Sequence, residues 1–239
     1  MLVFDELWPG GPKFAQRKGV FMLSTDSVLL ADFVNMVKVR RCADLGCGSG
    51  VLSVLLAVKN RGAFIDGVEI QEDSAALCRE NLKANGLDGR VRVIEGDLRE
   101  HRKLLKAGAY DLVVSNPPYF PVGRGGQSPV EERDLARSES MCTFSDLCQA
   151  AAYLCRFGGS FALVHRPERL SEVFCAMTQA GIEPKRLRLV SGRAQSPPSL
   201  ALIEGRRGGN PGLVIEPPLV MYDENGDYTR EMNRIYHRF

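Results

Sequence analysis

The stretch RCADLGCGSGVLSVLLAVKN, Arg41 to Asn60, decides how the rest of the chain is read. CADL (42–45) is a short buried run of strand length, and VLSVLLAVKN (51–60) has a helical apolar pattern. Between them Gly46, Gly48 and Gly50 permit a tight turn and a close approach of backbone to a ligand. A strand, a glycine turn and a helix, in that order, open a β-α-β unit.

The alternation continues outward from there. AFIDGVEI (63–70) reads as a strand. A helix follows through SAALCRENLKANGL, with Asp73 expected as its cap and Asn85-Gly86 as its stop. VRVIEGD (91–97) reads as a strand, followed by a polar helix to about Ala107, and YDLVVS (110–115) as a buried strand. A loop rich in glycine then runs to about Cys142. TFSDLCQAAAYLCRF (143–157) is helical, broken by Gly158-Gly159 before a strand, SFALVH (160–165). RPERLSEVFCAMTQAG (166–181) is a helix with Pro167 near its first turn. KRLRLVS (185–191) and SLALIEG (199–205) are strands joined by a short polar turn, which predicts a hairpin and an antiparallel edge. The whole predicts an α/β fold: a mostly parallel sheet with helices on both faces. One domain spans 41–239, with a short tail, and residues 1–40 form an N-terminal extension.

The composition agrees with an ordinary globular chain: 239 residues, 44% hydrophobic and 25% charged. The apolar run from Leu45 to Val58 is too short and too broken by glycine to span a bilayer. Asp5 and Glu6 stand where a secretory signal would carry Lys or Arg, so a cytoplasmic protein is expected. Seven cysteines, at 42, 47, 78, 142, 148, 155 and 175, include no CxxC pair. They predict neither a disulfide framework nor a metal site, and read mostly as small buried hydrophobes. Net charge is only +2, but residues 184–239 carry nine basic and six acidic groups. That excess fits either a solvated surface or contacts to phosphate.

In an open α/β sheet, ligands bind beyond the carboxyl ends of the strands. Four such ends carry chemistry here. The first is the DLGCGSG turn, Asp44 to Gly50, where the helix that follows offers unpaired N–H groups. Its spacing is GxGxG rather than the GxGxxG of dinucleotide binders. The second is Glu69, which could accept both hydroxyls of a ribose or be a surface carboxylate. The third is Asp97, which could accept from the amine of an adenine, cap the helix that starts at Leu98, or do both. The fourth is Asn116-Pro117-Pro118-Tyr119. Two prolines fix the backbone and remove two donors. The Asn116 side-chain oxygen and a rigid backbone carbonyl can then accept from one planar amine, and Tyr119 can stack on its ring.

The series DLGCGSG, Glu69, Asp97, NPPY resembles the class I S-adenosylmethionine-dependent methyltransferases of the amino-group type. The resemblance implies a Rossmann-like, seven-stranded sheet with an antiparallel final strand, and S-adenosyl-L-methionine as cofactor. It implies that Asp44, Gly46, Cys47, Gly48 and Gly50 line the methionine part, with Glu69 at the ribose and Asp97 and Leu98 at the adenine. Asn116 would border the cofactor and, with Pro117 and Tyr119, form the catalytic set. Four flanking stretches, FMLSTDSVLLADF (21–33), LARSES (135–140), HRPERLSEV (165–173) and YTREMNRIY (228–236), resemble bacterial tRNA adenine-N6 methyltransferases. Those enzymes modify the base beside the anticodon of a valine tRNA. Their Arg-x-Glu pattern is kept as Arg137-Ser138-Glu139, and the resemblance reaches nearly the whole chain. It implies tRNA as partner, and the segment around Asp26 packed over the cofactor site, where Asp26 is otherwise a helix cap.

A tRNA base must leave its stack to reach such a pocket. Tyr119 or Phe120 would then stack on it, the loop Gly123–Gly126 could close over it, and Arg124 could meet a phosphate. The mechanism has no need of His101 or His165. NPPY also serves enzymes that methylate guanine N2 in ribosomal RNA, glutamine amides in release factors, or adenine in DNA. Only 43 residues precede Asp44, which leaves no room for the recognition domains of the last two. A nicotinamide-dependent oxidoreductase would want GxGxxG and has no use for NPPY. A silent RNA-binding module would tolerate a damaged turn or Asn116, and both are intact.

Overall fold

The computed structural model of the chain describes residues 3–15, 24–118 and 142–237. Eleven strands and seven α-helices are found among them. The parallel core is built from β3 (Arg41–Leu45), β4 (Phe64–Glu69), β5 (Val91–Glu95), β6 (Tyr110–Ser115) and β7 (Cys155–His165). Beyond β7 comes the hairpin of β8 (Ile182–Ser191) and β9 (Pro198–Arg207). The sheet order is β8-β9-β7-β6-β3-β4-β5. β9 runs antiparallel to both β7 and β8, so β8 regains the direction of β7. Two short strands, β10 (Val214–Ile215) and β11 (Leu219–Val220), add themselves in parallel to the outer side of β8. The expected antiparallel hairpin is therefore present, with β9 as its inner member, and the sheet has nine strands in all.

Helices cover both faces because the strands alternate between two apolar layers. Cys42, Leu112, Val114, Ala162 and Val164 join one layer, with α1 (Thr25–Phe33), α2 (Val51–Lys59) and α3 (Glu72–Ala84). Ala43, Val113, Phe161 and Leu163 join the other, with α5 (Phe144–Leu154) and α6 (Leu170–Gln179). α4 (His101–Leu104) is a single turn after a 3₁₀ turn at Leu98–Glu100, and α7 (Arg230–Ile235) closes the described chain. Among the described residues no helix is long and apolar enough to cross a membrane.

Three local expectations change. Gly158-Gly159 do not separate a helix from a strand: α5 ends at Leu154 and β7 runs straight through them. A Cβ on Gly159 would lie 2.9 Å from the Asp111 carbonyl oxygen, so the glycine serves close strand pairing. Asp73 does not cap α3. The helix begins at Glu72, and Asp73 sits in its first turn. The N-terminal extension contains a hairpin, β1 (Phe4–Glu6) with β2 (Lys13–Ala15). It is fastened to α3, where Asn81 Oδ1 accepts from Ala15 N at 2.7 Å and Asn85 exchanges two hydrogen bonds with the Lys13 backbone.

Candidate active site at the carboxyl ends of the strands

β6, β3, β4 and β5 lie side by side, so the glycine turn, Asn116, Glu69 and Asp97 face one end of the sheet. The glycine turn is built from the backbone. Gly46 N and Cys47 N both donate to the Val68 carbonyl, at 2.9 and 3.0 Å, and Gly50 N donates to Cys47 O at 2.8 Å. Gly46, Gly48 and Gly50 have φ of +74°, +53° and +83°, a region that side chains avoid. A Cβ on Gly50 would lie 2.4 Å from Cys78 Sγ, whereas one on Gly46 or Gly48 would meet nothing within 4 Å. The first contact packs the turn on α3. The other two positions border open space. Gly50 also caps α2 without a side-chain hydrogen bond; the Ser53 N–H donates to Asp44, and the amides of Val51 and Leu52 are left for a polar ligand.

Glu69 is nearly buried and is integrated into this turn. Its Oε2 accepts from Gly48 N and its Oε1 from Gln71 N, both at 2.8 Å. A carboxylate oxygen has two lone pairs, so each can still take a second donor such as a ribose hydroxyl. Asp44 is 1% exposed, and Ser53 Oγ donates to it at 2.6 Å. Burial pushes its carboxyl up to about 7, and the charge of Glu69 adds to the effect. Two carboxyl groups beside open glycines and unpaired amides fit a ligand that carries both a cationic and an anionic end. Cys47 is buried beneath the turn. Its thiol is raised well above its usual range by the hydrogen bond it donates to Cys78 and by burial, so it stays protonated filler.

Asp97 is a cap. Its side chain accepts from Arg99 N at 2.9 Å, and Arg99 Nε reaches the same carboxylate at 2.9 Å. The Arg99 hydrogen bonds hold the Asp97 carboxyl below the usual carboxylate range. The two readings of Asp97 are thus unequal: the capping role is visible, while its second oxygen is engaged by Arg99. Leu98 is half-buried against the layer that contains α5.

Asn116 follows β6, whose end is pinned when Ser115 Oγ donates to Leu45 O at 2.7 Å. Pro117 is buried and Pro118 exposed. The Asn116 side chain donates from Nδ2 to Ser27 Oγ at 2.9 Å, and among the described residues no donor reaches its Oδ1. Ser27 is a residue that pattern reasoning passed over. It is a small polar side chain inside the apolar helix α1, and its only signal is that mismatch. Asp26, one position earlier, is not the cap of α1. Ser24 is, through a 3.2 Å bond from Asp26 N. Tyr119, Phe120, Gly123–Gly126, Arg124 and Arg137–Glu139 lie outside the described residues.

Both histidines at issue are structural in their contacts. His101 Nδ1 lies 2.9 Å from Leu98 O. His165 Nδ1 accepts from Arg166 N at 2.9 Å, its ring packs edge-on to Phe144, and burial lowers its basicity. Much of the C-terminal basic excess is also internal. Arg186 pairs with Glu204 and Glu216, Arg188 with Glu231, and Arg234 with Asp32. Among the described residues no group of His, Cys, Asp and Glu could hold a metal ion.

A sequence profile of the methyltransferase small domain matches residues 12–168. The chain belongs to that family. Among curated relatives, a tRNA1(Val) (adenine(37)-N6)-methyltransferase of Tolumonas auensis is 30% identical over 90% of this chain and 88% of its own length. One of the same name from Aeromonas hydrophila is 31% identical over 87% and 85%. Among solved structures, a protein of Agrobacterium tumefaciens described as a predicted O-methyltransferase superposes with a TM-score of 0.72. The identity is 21%, over 90% of this chain and 96% of that one. The T. thermophilus 16S rRNA N2 methyltransferase, solved with AdoMet and guanosine, gives 0.60 at 23% identity. That match covers 87% of this chain and 50% of the other. These structural likenesses support the class I methyltransferase fold.

Proposed function

We propose that this chain is an S-adenosylmethionine-dependent tRNA methyltransferase acting on the exocyclic N6 amine of an adenine beside the anticodon of a valine tRNA, in the cytoplasm. The observation that carries the reading is the state of Asn116. Its amide nitrogen is occupied by Ser27 and its Oδ1 is left as an acceptor, directly before two prolines and beside the glycine turn. The relatives named for adenine-N6 methylation match this chain over nearly its whole length.

In this reading Gly46, Cys47, Gly48 and Gly50, with Asp44, hold the methionine part of the cofactor. Glu69 holds the ribose, and Asp97 and Leu98 border the adenine. When bound, S-adenosylmethionine supplies a methyl group on a positively charged sulfur. An exocyclic aromatic amine is a poor nucleophile because its lone pair is delocalised into the ring. Asn116 Oδ1 and the Pro117 carbonyl oxygen each accept one N–H of that amine, which aims the lone pair at the methyl carbon. Methyl transfer from the cofactor would form the N–C bond as the C–S bond breaks, and the extra proton would then leave the nitrogen for water. The gain comes from positioning and from acceptors that meet charge as it develops on nitrogen. Ser27 acts through Asn116: by taking the Nδ2 hydrogen bond it selects the amide orientation that presents oxygen to the amine. Tyr119 would stack on the adenine ring. Residues 41–239 form one catalytic domain in this reading, and the N-terminal 40 residues contribute α1 over the site.

The test offers labelled S-adenosylmethionine with total tRNA, ribosomal RNA and release factor, side by side. Methyl transfer to tRNA alone is expected. Transfer to ribosomal RNA or to release factor, with none to tRNA, overturns the substrate assignment.

A further inference from the structure

Three tyrosines near the C-terminus form a continuous stack. Tyr222 and Tyr228 have ring centroids 5.2 Å apart and 24° off parallel, and Tyr228 and Tyr236 are 5.4 Å apart and 14° off. The inner end of the stack is buried beside the candidate active site. Tyr236 reaches Thr25 Oγ1 at 3.4 Å, and Thr25 opens α1, the helix whose Ser27 holds Asn116. The outer end reaches solvent: Tyr222 is 36% exposed.

Tyr222 is held in place by its backbone. Its N donates to Gly192 O at 2.9 Å, and Tyr222 and Tyr228 face each other across an antiparallel bridge. Thr229 N donates to Met221 O at 3.0 Å, and Thr229 Oγ1 to Val220 O at 2.8 Å. Because β8 runs in the direction of β7, its Ser191 end lies on the same side of the sheet as Asn116. Tyr222 follows β11, which pairs with β8 on its outer side, so it stands four places from β6, roughly 19 Å at the usual strand spacing.

Two cations neighbour Tyr222 through the backbone, one across its bond to Gly192 O and one across the Thr229–Met221 bond. Arg193 follows Gly192, and Arg230 follows Thr229. Both are exposed, and among the described residues neither has a carboxylate partner, unlike Arg186, Arg188 and Arg234. The nearby turn carries Asp223, Glu224 and Asp227. Asp223 Oδ1 is occupied by Asn225 N and Asp227 N, and the remaining charge repels a phosphate that approaches over the turn.

An exposed aromatic face with unpaired guanidinium groups beside it suits a single-stranded nucleotide, whose base stacks while its phosphates meet the cations. We propose that Tyr222, Arg193 and Arg230 dock an unpaired tRNA nucleotide a few positions along the strand from the adenine held at Asn116. The proposal rests on the tRNA reading above and extends it to a surface outside the catalytic set.

The experiment uses the full chain with substrate tRNA, and follows RNA affinity, S-adenosylmethionine affinity, thermal midpoint and single-turnover rate at saturating tRNA. Tyr222→Ala should weaken tRNA binding by about tenfold, and Tyr222→Leu, which keeps bulk without a π face, should do nearly the same. Tyr222→Phe and Tyr222→Trp should bind as the parent does. Arg193→Gln and Arg230→Gln should each lower the slope of log affinity against log salt by about one. Cofactor affinity and the saturated rate should not move. Parental affinity in Tyr222→Leu overturns the proposal, as does a loss in Tyr222→Phe equal to that in Tyr222→Ala. Such results would leave the tRNA reading standing, whereas failure of the parent protein to methylate tRNA would remove the reading itself.

Discussion

Toward the amino ends of the strands, Asp66 accepts from Arg41 at 3.1 Å, Arg92 at 2.8 Å and the Tyr110 hydroxyl at 2.6 Å. Asp111 there accepts from Arg40 N, Arg41 N and Arg156 Nε. At the carboxyl ends Asp44 has the hydroxyl and the backbone N–H of Ser53, Glu69 has two backbone amides, and the Asn116 oxygen has no described donor. Similar side chains thus serve opposite ends. Where three donors, guanidinium groups among them, converge on one carboxylate, the cluster ties strands together. Where acceptors are fixed by fewer donors, a ligand can complete them. Apart from Asp97, which Arg99 clasps, the degree of satisfaction separates the frame from the site better than residue type does.

The largest expected effect is at the site. Asn116→Ala should lower the methyl-transfer rate by about 100-fold or more, the scale of losing one preorganised electrostatic partner. S-adenosylmethionine affinity and the melting temperature should barely change, because the prolines still hold the backbone carbonyl. Asn116→Asp keeps an acceptor and should keep part of the rate. Rapid-quench single-turnover assays alongside calorimetry check both variants.

At the other end the sign of the experiment reverses. Asp66→Ala should cost about 3 kcal/mol of stability by leaving Arg41, Arg92 and the buried Tyr110 hydroxyl without their acceptor. Denaturant melts measure that cost. The folded fraction should bind S-adenosylmethionine as tightly as the parent, and a loss of affinity there would blur the distinction between the two ends.

Glu69→Ala should weaken S-adenosylmethionine binding by about 1–3 kcal/mol, since it removes an acceptor and loosens Gly48 and Gln71 together. Unchanged affinity by calorimetry would take Glu69 out of the ribose role.

Asp44 gives an effect that is small near pH 7 and grows as pH falls, and so the finest probe. Its carboxyl lies at about 7 in the fold, above the usual carboxylate range. The folded state therefore holds this proton more tightly than the unfolded chain. The group's stabilising contribution is complete at pH below about 4 and is lost as pH rises to about 7. Binding of a cationic ligand has the opposite sense, because it favours the ionised form. S-adenosylmethionine affinity should fall by up to about tenfold per unit as pH drops below 7. Asp44→Asn should flatten both profiles, and calorimetry and melts between pH 5 and pH 8 would reveal it.

What was legible in the sequence was local. The glycine turn, the Asn85-Gly86 stop and the cap at Asp97 are set by residues within one turn of each other, and all three are present. The parallel sheet followed from alternating apolar runs. The features that escaped depend on distant partners. The Asn116–Ser27 bond joins residues 89 positions apart, and the N-terminal hairpin is held by Asn81, 66 positions from Ala15. Gly159 looked like a breaker because its need for close approach to Asp111 is a property of the sheet. The C-terminal arginines left solvated surface and phosphate contact both open because Glu204, Glu216 and Asp32 reach them only after folding. The Arg99 clasp on Asp97 is the exception: an Asp-x-Arg spacing at a cap was readable and was missed.

The central claim is that the acceptors at Asn116 and Pro117 deliver one methyl group to the N6 amine of adenine. It is tested most directly by incubating substrate tRNA with S-adenosylmethionine carrying a deuterated methyl group, then digesting the RNA to nucleosides for mass spectrometry. The parent protein should yield deuterium-labelled N6-methyladenosine, and Asn116→Ala almost none. Label in a guanosine, on a ring nitrogen of adenosine, or undiminished in Asn116→Ala would contradict it.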